Sequence, residues 1–421
     1  MWGEHRAISL RDIDVSDEIL KRDVTETLNR TSGIKVAISL AGQVAFSMFS
    51  LSLGVLLPSI QVAFVIGKGE GGLLASVLLL TQAIAMVFGG RLVDRMGSTV
   101  MYALGIGIVS LGLLLAASST NYWLLLGSVS MIGLGGGFFY PALYTYLGSM
   151  LASRGLMTGI ANAAMGIGGF LGPLLAGRLV EPYSWNTPVY IFACIAMLVT
   201  ILYLLVIKPR KERPIREDSP KLTNDWRTIL RYRGVILIYL ANFIANVGFF
   251  AFITWTPSFL LESRNLSFSA MGTLFGAVPL AGAVGAVVFG ALSDALKNRT
   301  ILTGITGIIS AAISYLLFAL PTGSPIIALM LIAIGFLYFP SWNLLTAIAQ
   351  DSVSPENMGT ATGLVQNAGL LGGVIGPVTA GYMIEKIGLP SAMLLVATVP
   401  MFMYGIIVIL YKAVEKTAWQ D

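Results

Sequence analysis

The sequence predicts an all-α membrane protein: twelve transmembrane helices in two pseudo-symmetric halves of six. Three observations predict it. Of 421 residues, 56% are hydrophobic and only 11% are charged, whereas soluble proteins carry about 25% charge. The apolar stretches have the length of membrane helices. The second half of the chain repeats landmarks of the first. Gly is also abundant, with 47 residues, which suits close helix packing in lipid.

The elements follow from the gaps between charges. Stretches free of Asp, Glu, Lys and Arg cover 36–67, 71–90, 96–153, 155–177, 182–207, 234–261, 265–293, 300–350, 357–384 and 387–411. A membrane-spanning helix needs about 20 mostly apolar residues. Eight stretches therefore hold one span each, and the two longest hold two each. The run 96–153 is divided at Ala116-Ala117-Ser118-Ser119-Thr120-Asn121, and 300–350 at Pro321-Thr322-Gly323-Ser324-Pro325. Both dividers are turn chemistry. Numbered in chain order, these are spans 1 to 12. A barrel would instead show alternating strands of about 9–11 residues.

Lys and Arg set the expected orientation. With residues 1–35 placed in the cytoplasm, 22 basic residues fall on that side. Only Lys68, Arg178, Arg264 and Lys386 fall outside. Both termini are thus expected in the cytoplasm of a plasma or inner membrane. The organisation reads as a tail (1–33), a first six-helix half (34–207), a basic cytoplasmic linker (208–233), a second half (234–411) and a tail (412–421). The first tail is too charged for a signal peptide. Its segment 16–29 could set Leu20, Val24 and Leu28 on one face of a surface helix, but a solvated tail is the plainer expectation. The single Cys194 and single His5 exclude an internal disulfide, a Cys-based metal site and a His relay. No cofactor, nucleic acid or ATP is expected, since no G-x-x-x-x-G-K-[ST] loop occurs. Nothing in the sequence calls for more than a monomer.

The repeat is concrete. Gly168-Gly169-Phe170-Leu171-Gly172-Pro173-Leu174-Leu175-Ala176-Gly177 in span 5 matches Gly372-Gly373-Val374-Ile375-Gly376-Pro377-Val378-Thr379-Ala380-Gly381 in span 11. Pro58 pairs with Pro257, Pro141 with Pro340, and Gly90-x-Leu92-x-Asp94 with Gly290-x-Leu292-x-Asp294, at offsets between 199 and 204. Such duplicated halves are a sign of transporter folds.

After span 2 comes Gly90-Arg91-Leu92-Val93-Asp94-Arg95-Met96-Gly97. It resembles the cytoplasmic loop signature G-x-L-x-D-R-x-G of the major facilitator superfamily, although Ser98-Thr99 replace the basic pair that often follows. The resemblance covers residues 34–411. It implies a transporter that works by alternating access, in which Gly90, Asp94, Arg95, Gly97 and the second-half Asp294 latch the two halves. The Gly-Pro repeats resemble a motif of antiporters. There Gly172, Pro173, Gly376 and Pro377 would serve packing or gating, and a merely bent packing helix explains them equally. In span 4, Val129 fills the place of an Arg common in proton-coupled drug exporters, which weighs against that branch.

The resemblance also places spans 1, 4, 7 and 10 around a central cavity. Polar residues there are Gln43, Ser47 and Ser50 (span 1), Tyr140 and Tyr144 (span 4), Asn242 and Asn246 (span 7), and Trp342 and Asn343 (span 10). Gln43 maps to Asn242, Ser47 to Asn246 and Tyr144 to Asn343 at one offset, 199. All but Ser50 form the expected substrate site, with interhelical hydrogen bonding as the bland alternative. Asn162, Gln366 and Asn367 in spans 5 and 11 could add to it. No charged residue lies mid-span, so neither a cationic clamp for acids nor an obvious proton carrier is present. Trp255-Thr256-Pro257-Ser258-Phe259-Leu260 resembles a span-7 ending of organic-anion permeases, but their binding Arg has no counterpart. Glu181 and Glu385, symmetric at the outer ends of spans 5 and 11, are the fallback proton sites, and Arg178 stands where it could pair with Glu181. The expected cargo is a neutral, zwitterionic or amphipathic organic solute. The alternatives are a proton-coupled organic-anion or drug transporter, and a transporter-like sensor. No nucleophile, base or metal cluster points to an enzyme.

Overall fold

The computed structural model describes residues 30–150, 154–208, 233–296, 298–321, 323–353 and 358–418. These residues are mostly helical, joined by short turns, with no strand among them. The segment 16–29 and residues 209–232 of the linker lie outside the described residues.

In the first half, span 1 is Arg30–Ser50 continued by Leu53–Phe64. Spans 2 to 6 are Lys68–Met96, Ser98–Ala117, Tyr122–Met150, Arg154–Val180 and Asn186–Val206. In the second half, span 7 is Arg233–Ser258 extended by the π-turn Phe259–Ser263. Spans 8 and 9 are Phe268–Leu296 and Arg299–Ala319. Span 10 is Ser324–Tyr338 with Ser341–Asp351, broken at Pro340. Span 11 is Met358–Ile387, and span 12 runs from Leu389 to Ala418 through a π-turn at Leu394–Thr398. Eleven of these are long and apolar enough to cross a membrane. Span 11, diluted by seven Gly and by Gln366 and Asn367, has the length but a lower hydropathy.

The Gly90–Gly97 signature is not a loop. Its first seven residues are the last turns of span 2, and Gly97 alone, at φ +92°, makes the reversal into span 3. Only a glycine takes that backbone angle at little cost. The charge-free stretch underestimates the helix because charged side chains at a membrane face can still sit on helical backbone. At the other end of span 2, the Gly67 N–H donates to Glu70 Oε2 at 2.7 Å, which caps the helix start.

The internal repeat becomes a packing rule. A Cβ placed on Gly168 or Gly172 of span 5 would lie 2.4 Å from Val44 O or 2.2 Å from Met48 O of span 1. On Gly372 or Gly376 of span 11 it would lie 2.2 Å from Phe243 O or Val247 O of span 7. Val44 and Phe243, like Met48 and Val247, are 199 residues apart. The two halves thus repeat one backbone-to-backbone contact that admits only glycine.

The halves meet at one end and part at the other. At the end carrying Lys68, a Cβ on Gly72 would fall 2.4 Å from Pro377 O, and one on Gly272 would fall 2.3 Å from Pro173 O. At the end carrying Gly97, Cβ positions on Gly90, Gly159, Gly290 and Gly363 meet nothing within 4 Å. Those four residues form two repeat-related pairs.

Candidate functional site

A cavity of about 510 Å³ opens between the halves. Of the eight residues expected to bind substrate, six line it: Ser47, Tyr140, Tyr144, Asn246, Trp342 and Asn343. Ser50, Asn162 and Gln366 join them, and Asn367 does not. No Asp, Glu, Lys, Arg or His lies among the lining residues.

Gln43 and Asn242 stand behind this surface, 2% and 1% exposed. The Gln43 Nε2 donates to the Tyr140 phenol at 3.0 Å, and its Oε1 is buried without a partner. Accepting that bond leaves the Tyr140 O–H hydrogen free to point elsewhere. Asn242 Nδ2 donates to Val365 O at 2.6 Å and so ties span 7 to span 11. The expected matched amide face is therefore corrected at both of these positions: they hold the wall rather than form it. The repeat persists one turn further on. Ser47 Oγ donates to Gln43 O at 2.8 Å, and Asn246 Nδ2 donates to Asn242 O at 2.8 Å. Asn246 also donates to Asn242 Oδ1 at 3.0 Å.

Sequence reasoning passed over several lining side chains. Gln82 of span 2 is 9% exposed, lines the cavity and has no hydrogen-bond partner among the described residues. It was legible as the one amide inside the run 71–90, but span 2 was not assigned to the cavity. Phe46, Phe249, Phe250 and Phe339 also line it, and a lone Phe in an apolar helix gives no signal of which face it takes. Glycines make room for these groups. A Cβ on Gly369 would come within 2.9 Å of the Asn242 and Asn246 amide nitrogens and the Trp342 ring.

The Lys68 end is sealed by charge and by one indole. Lys68 of span 2 pairs with Glu262 at the end of span 7, and its Nζ stands 5.9 Å from the centre of the Trp255 ring. The Trp255 Nε1 donates to Pro377 O at 2.9 Å. Glu385 Oε1 accepts the Gly69 N–H at 2.8 Å, so a span-11 carboxylate caps a helix of the opposite half. Its repeat partner Glu181 is exposed, and no ion pair joins it to Arg178 among the described residues.

At the Gly97 end the two copies of the signature differ. Asp294 pairs with Arg299 at 2.6 Å, and Arg299 also pairs with Asp351 at 2.8 Å. Asp94 and Arg95 are exposed, and no hydrogen bond or ion pair to Asp94 occurs among the described residues. The cause is visible in the chain: the second copy has Arg299 five residues after its Asp, and the first copy has Thr99 there. Pro173 and Pro377 face across the seam at the sealed end, while Gly172 and Gly376 pack inside their own halves.

Known proteins share this architecture. The family model of the Major Facilitator Superfamily matches residues 39–377. The chain is 23% identical over 365 residues to the hexuronate transporter of Bacillus subtilis, covering 82% of this chain and 86% of that protein. It is 26% identical over 342 residues to the cis,cis-muconate transport protein of Acinetobacter baylyi, covering 78% and 81% respectively. Among solved structures, a bacterial homologue of the human lysosomal transporter Spinster, inward-facing and unoccupied, matches with a TM-score of 0.73 at 17% identity. The match covers 92% of this chain and 96% of that one, and it shows the fold. Joined to twelve helices in two repeat-related halves, a family match over most of the sequence means that this chain belongs to the major facilitator superfamily of multi-pass membrane transporters.

Proposed function

We propose that the protein moves a small organic solute without net charge across a plasma or inner membrane by alternating access, and that it stands here open toward the cytoplasm. The observation that carries this reading is the uncharged cavity between two halves whose described glycines pack across the seam toward the Lys68 end and meet nothing at Gly90, Gly159, Gly290 and Gly363. The Lys and Arg distribution supports a cytoplasmic location for the Gly97 end, which is the open one. Outward opening then requires release of the Lys68–Glu262 pair, the Glu385 cap and the Lys68 contact with the Trp255 ring, while the Trp255–Pro377 bond stays within the second half. Inward closure brings Gly90 and Gly290 against the opposite half. In that closed state Gly90, Asp94, Arg95, Gly97 and Asp294 would act as the cytoplasmic latch, which fits an Asp94 that has no partner among the described residues while that end is open.

No Asp, Glu, Lys, Arg or His lines the cavity, and a tyrosine phenol, with an ordinary pKa of about 10, is a poor proton carrier at neutral pH. Uptake into proteoliposomes is expected to proceed equally with and without an imposed pH gradient. Solutes found by thermal-shift screening would be used for this. Concentrative uptake driven by the gradient, and lost in Glu385→Gln or Glu181→Gln, would overturn the reading and identify the carboxylate responsible.

The geometry also separates the two asparagines of span 7. Asn246→Ala removes a cavity amide and is expected to weaken substrate binding by about 2–13-fold, the equivalent of one neutral hydrogen bond. Asn242→Ala removes the tie to Val365 O and the Oδ1 that accepts from Asn246 Nδ2, whose bond to Asn242 O remains. It is expected to lower the melting temperature and to leave affinity within about twofold of wild type, less than one hydrogen bond is worth. Calorimetric titration alongside thermal unfolding checks both. Equal loss of affinity in the two variants would place Asn242 in the substrate site.

A further inference from the structure

The lining of the cavity narrows the class of solute, a step that rests on the transporter reading above. Three features act together. The first is the absence of charge. A carboxylate taken from water into an enclosed site costs several kcal/mol unless a cation meets it, and the lining offers none. The same argument weighs against amino acids and peptides, whose two charges would both go unmatched.

The second feature is aromatic. Eight rings line the cavity, and six of them pack ring against ring in one cluster per half, Phe46 with Tyr140 and Phe249 with Phe250, Tyr338 and Phe339. In the first half Phe46 and Tyr140 meet edge to face at 5.6 Å. In the second half Phe249 contacts Phe250 at 5.2 Å and Phe339 at 5.0 Å, both edge to face. Packed this way, the rings hold one another in place and form a rigid wall that suits a flat π-faced guest.

The third feature is unspent hydrogen-bonding capacity. The side chains of Gln82, Asn162, Trp342 and Asn343 line the cavity, and none has a hydrogen-bond partner among the described residues. Gln82 is more than nine-tenths buried. Tyr140 adds a phenol hydrogen, because Gln43 already donates to its oxygen. When the cavity closes over its guest, any of these groups left unpaired incurs a desolvation penalty. An acyl chain or a plain hydrocarbon would fill the apolar lining and leave them all unpaired. The guest must carry donors and acceptors on its rim.

We propose that the cavity selects uncharged heteroaromatic solutes whose edges bear both hydrogen-bond donors and acceptors, the chemistry of nucleobases, nucleosides and aromatic carboxamides. The rings take the flat faces and the free amides read the edges. This departs from the hexuronate and muconate after which the two relatives are named, and the missing cation is the reason.

The test uses the full-length protein, first in detergent for binding and then in proteoliposomes for counterflow. The probes are uracil, uridine and nicotinamide, set against glucuronate, cis,cis-muconate and glucose. At least one of the first three is expected to bind and exchange, and none of the second three. Gln82→Leu is expected to weaken binding of that heterocycle by about 2–13-fold, with a melting temperature equal to or above wild type, since an unpaired buried amide stabilises nothing. A purely structural Gln82 would instead lower the melting temperature and leave affinity alone, which overturns its assignment to the edge-reading set. Binding of the acids or of glucose in place of the heterocycles overturns the proposal and leaves the transporter reading intact. Failure of all six probes to bind a cooperatively melting protein overturns the proposal as well. Heterocycle binding without counterflow supports the solute class and overturns the transport reading.

Discussion

Gly72→Leu is expected to abolish transport in a protein that still folds. A Cβ at this position would lie 2.4 Å from Pro377 O and 2.9 Å from Val378 Cα, both backbone atoms that cannot turn aside. Gly72 belongs to span 2 and Pro377 to span 11, so the clash falls between the halves and not within either one. Separating the halves at the Lys68 end relieves it. Overpacking of this kind costs about 1–3 kcal/mol, which moves a two-state equilibrium by about 5–150-fold. The population should leave the state with the Lys68 end sealed. The reporter is Thr254→Cys, a cavity-lining position, in a Cys194→Ser background. Its labelling by an impermeant maleimide from outside should speed up with Gly72→Leu. Gly90→Leu should act in the opposite sense. Nothing lies within 4 Å of its Cβ position here, so this state tolerates the side chain and only closure of the Gly97 end would meet it. Wild-type labelling and flux in both variants would sink the idea that these glycines gate opposite ends.

Gly172→Val and Gly376→Val are expected to fail differently. The Gly172 Cβ would fall 2.2 Å from Met48 O and 2.4 Å from Ser52 Oγ, and the Gly376 Cβ 2.2 Å from Val247 O. These neighbours lie in the same half in each case, so no rocking of the halves relieves the clash. Spans 5 and 1, or 11 and 7, must separate in every state. At least about 1–3 kcal/mol of stability should go from each half, more than for an added methyl because Val is β-branched and stiff. Melting temperature and membrane yield should fall, while labelling of the surviving protein on both faces keeps the wild-type ratio. A variant that melts like wild type but labels differently would make the glycine a gating residue. Pro173 and Pro377, one residue further on, lie on the seam itself, and in Pro377 the carbonyl receives the Trp255 indole. The ten-residue repeat thus carries two kinds of contact on two faces of a helix.

What the chain alone determined is what depends on composition, length and periodicity. Burying polar backbone in lipid leaves helices as the economical solution, and charge is confined to the ends of spans because it is costly elsewhere. The twelve spans, their turns at 116–121 and 321–325, and the duplicated halves all follow from those costs. The repeat offset also has a counterpart in local geometry: Ser47 and Asn246, matched at an offset of 199, make the same bond to the residue four before them, a contact that the sequence pattern does not itself predict. The tertiary structure alone decided which face of a helix each side chain takes. Gln43 and Ser47 lie one turn apart, yet only Ser47 reaches the cavity, because Gln43 is turned to the Tyr140 phenol. Gln82 is central because span 2 leans on span 11 at the sealed end, a relation between segments about 300 residues apart. The two carboxylates that look equivalent in the repeat part company for the same reason. Glu385 caps the opposite half and Glu181 meets solvent, since closing one end of the molecule is a property of how the halves are tilted. A repeated sequence encodes the halves; it does not encode the angle between them.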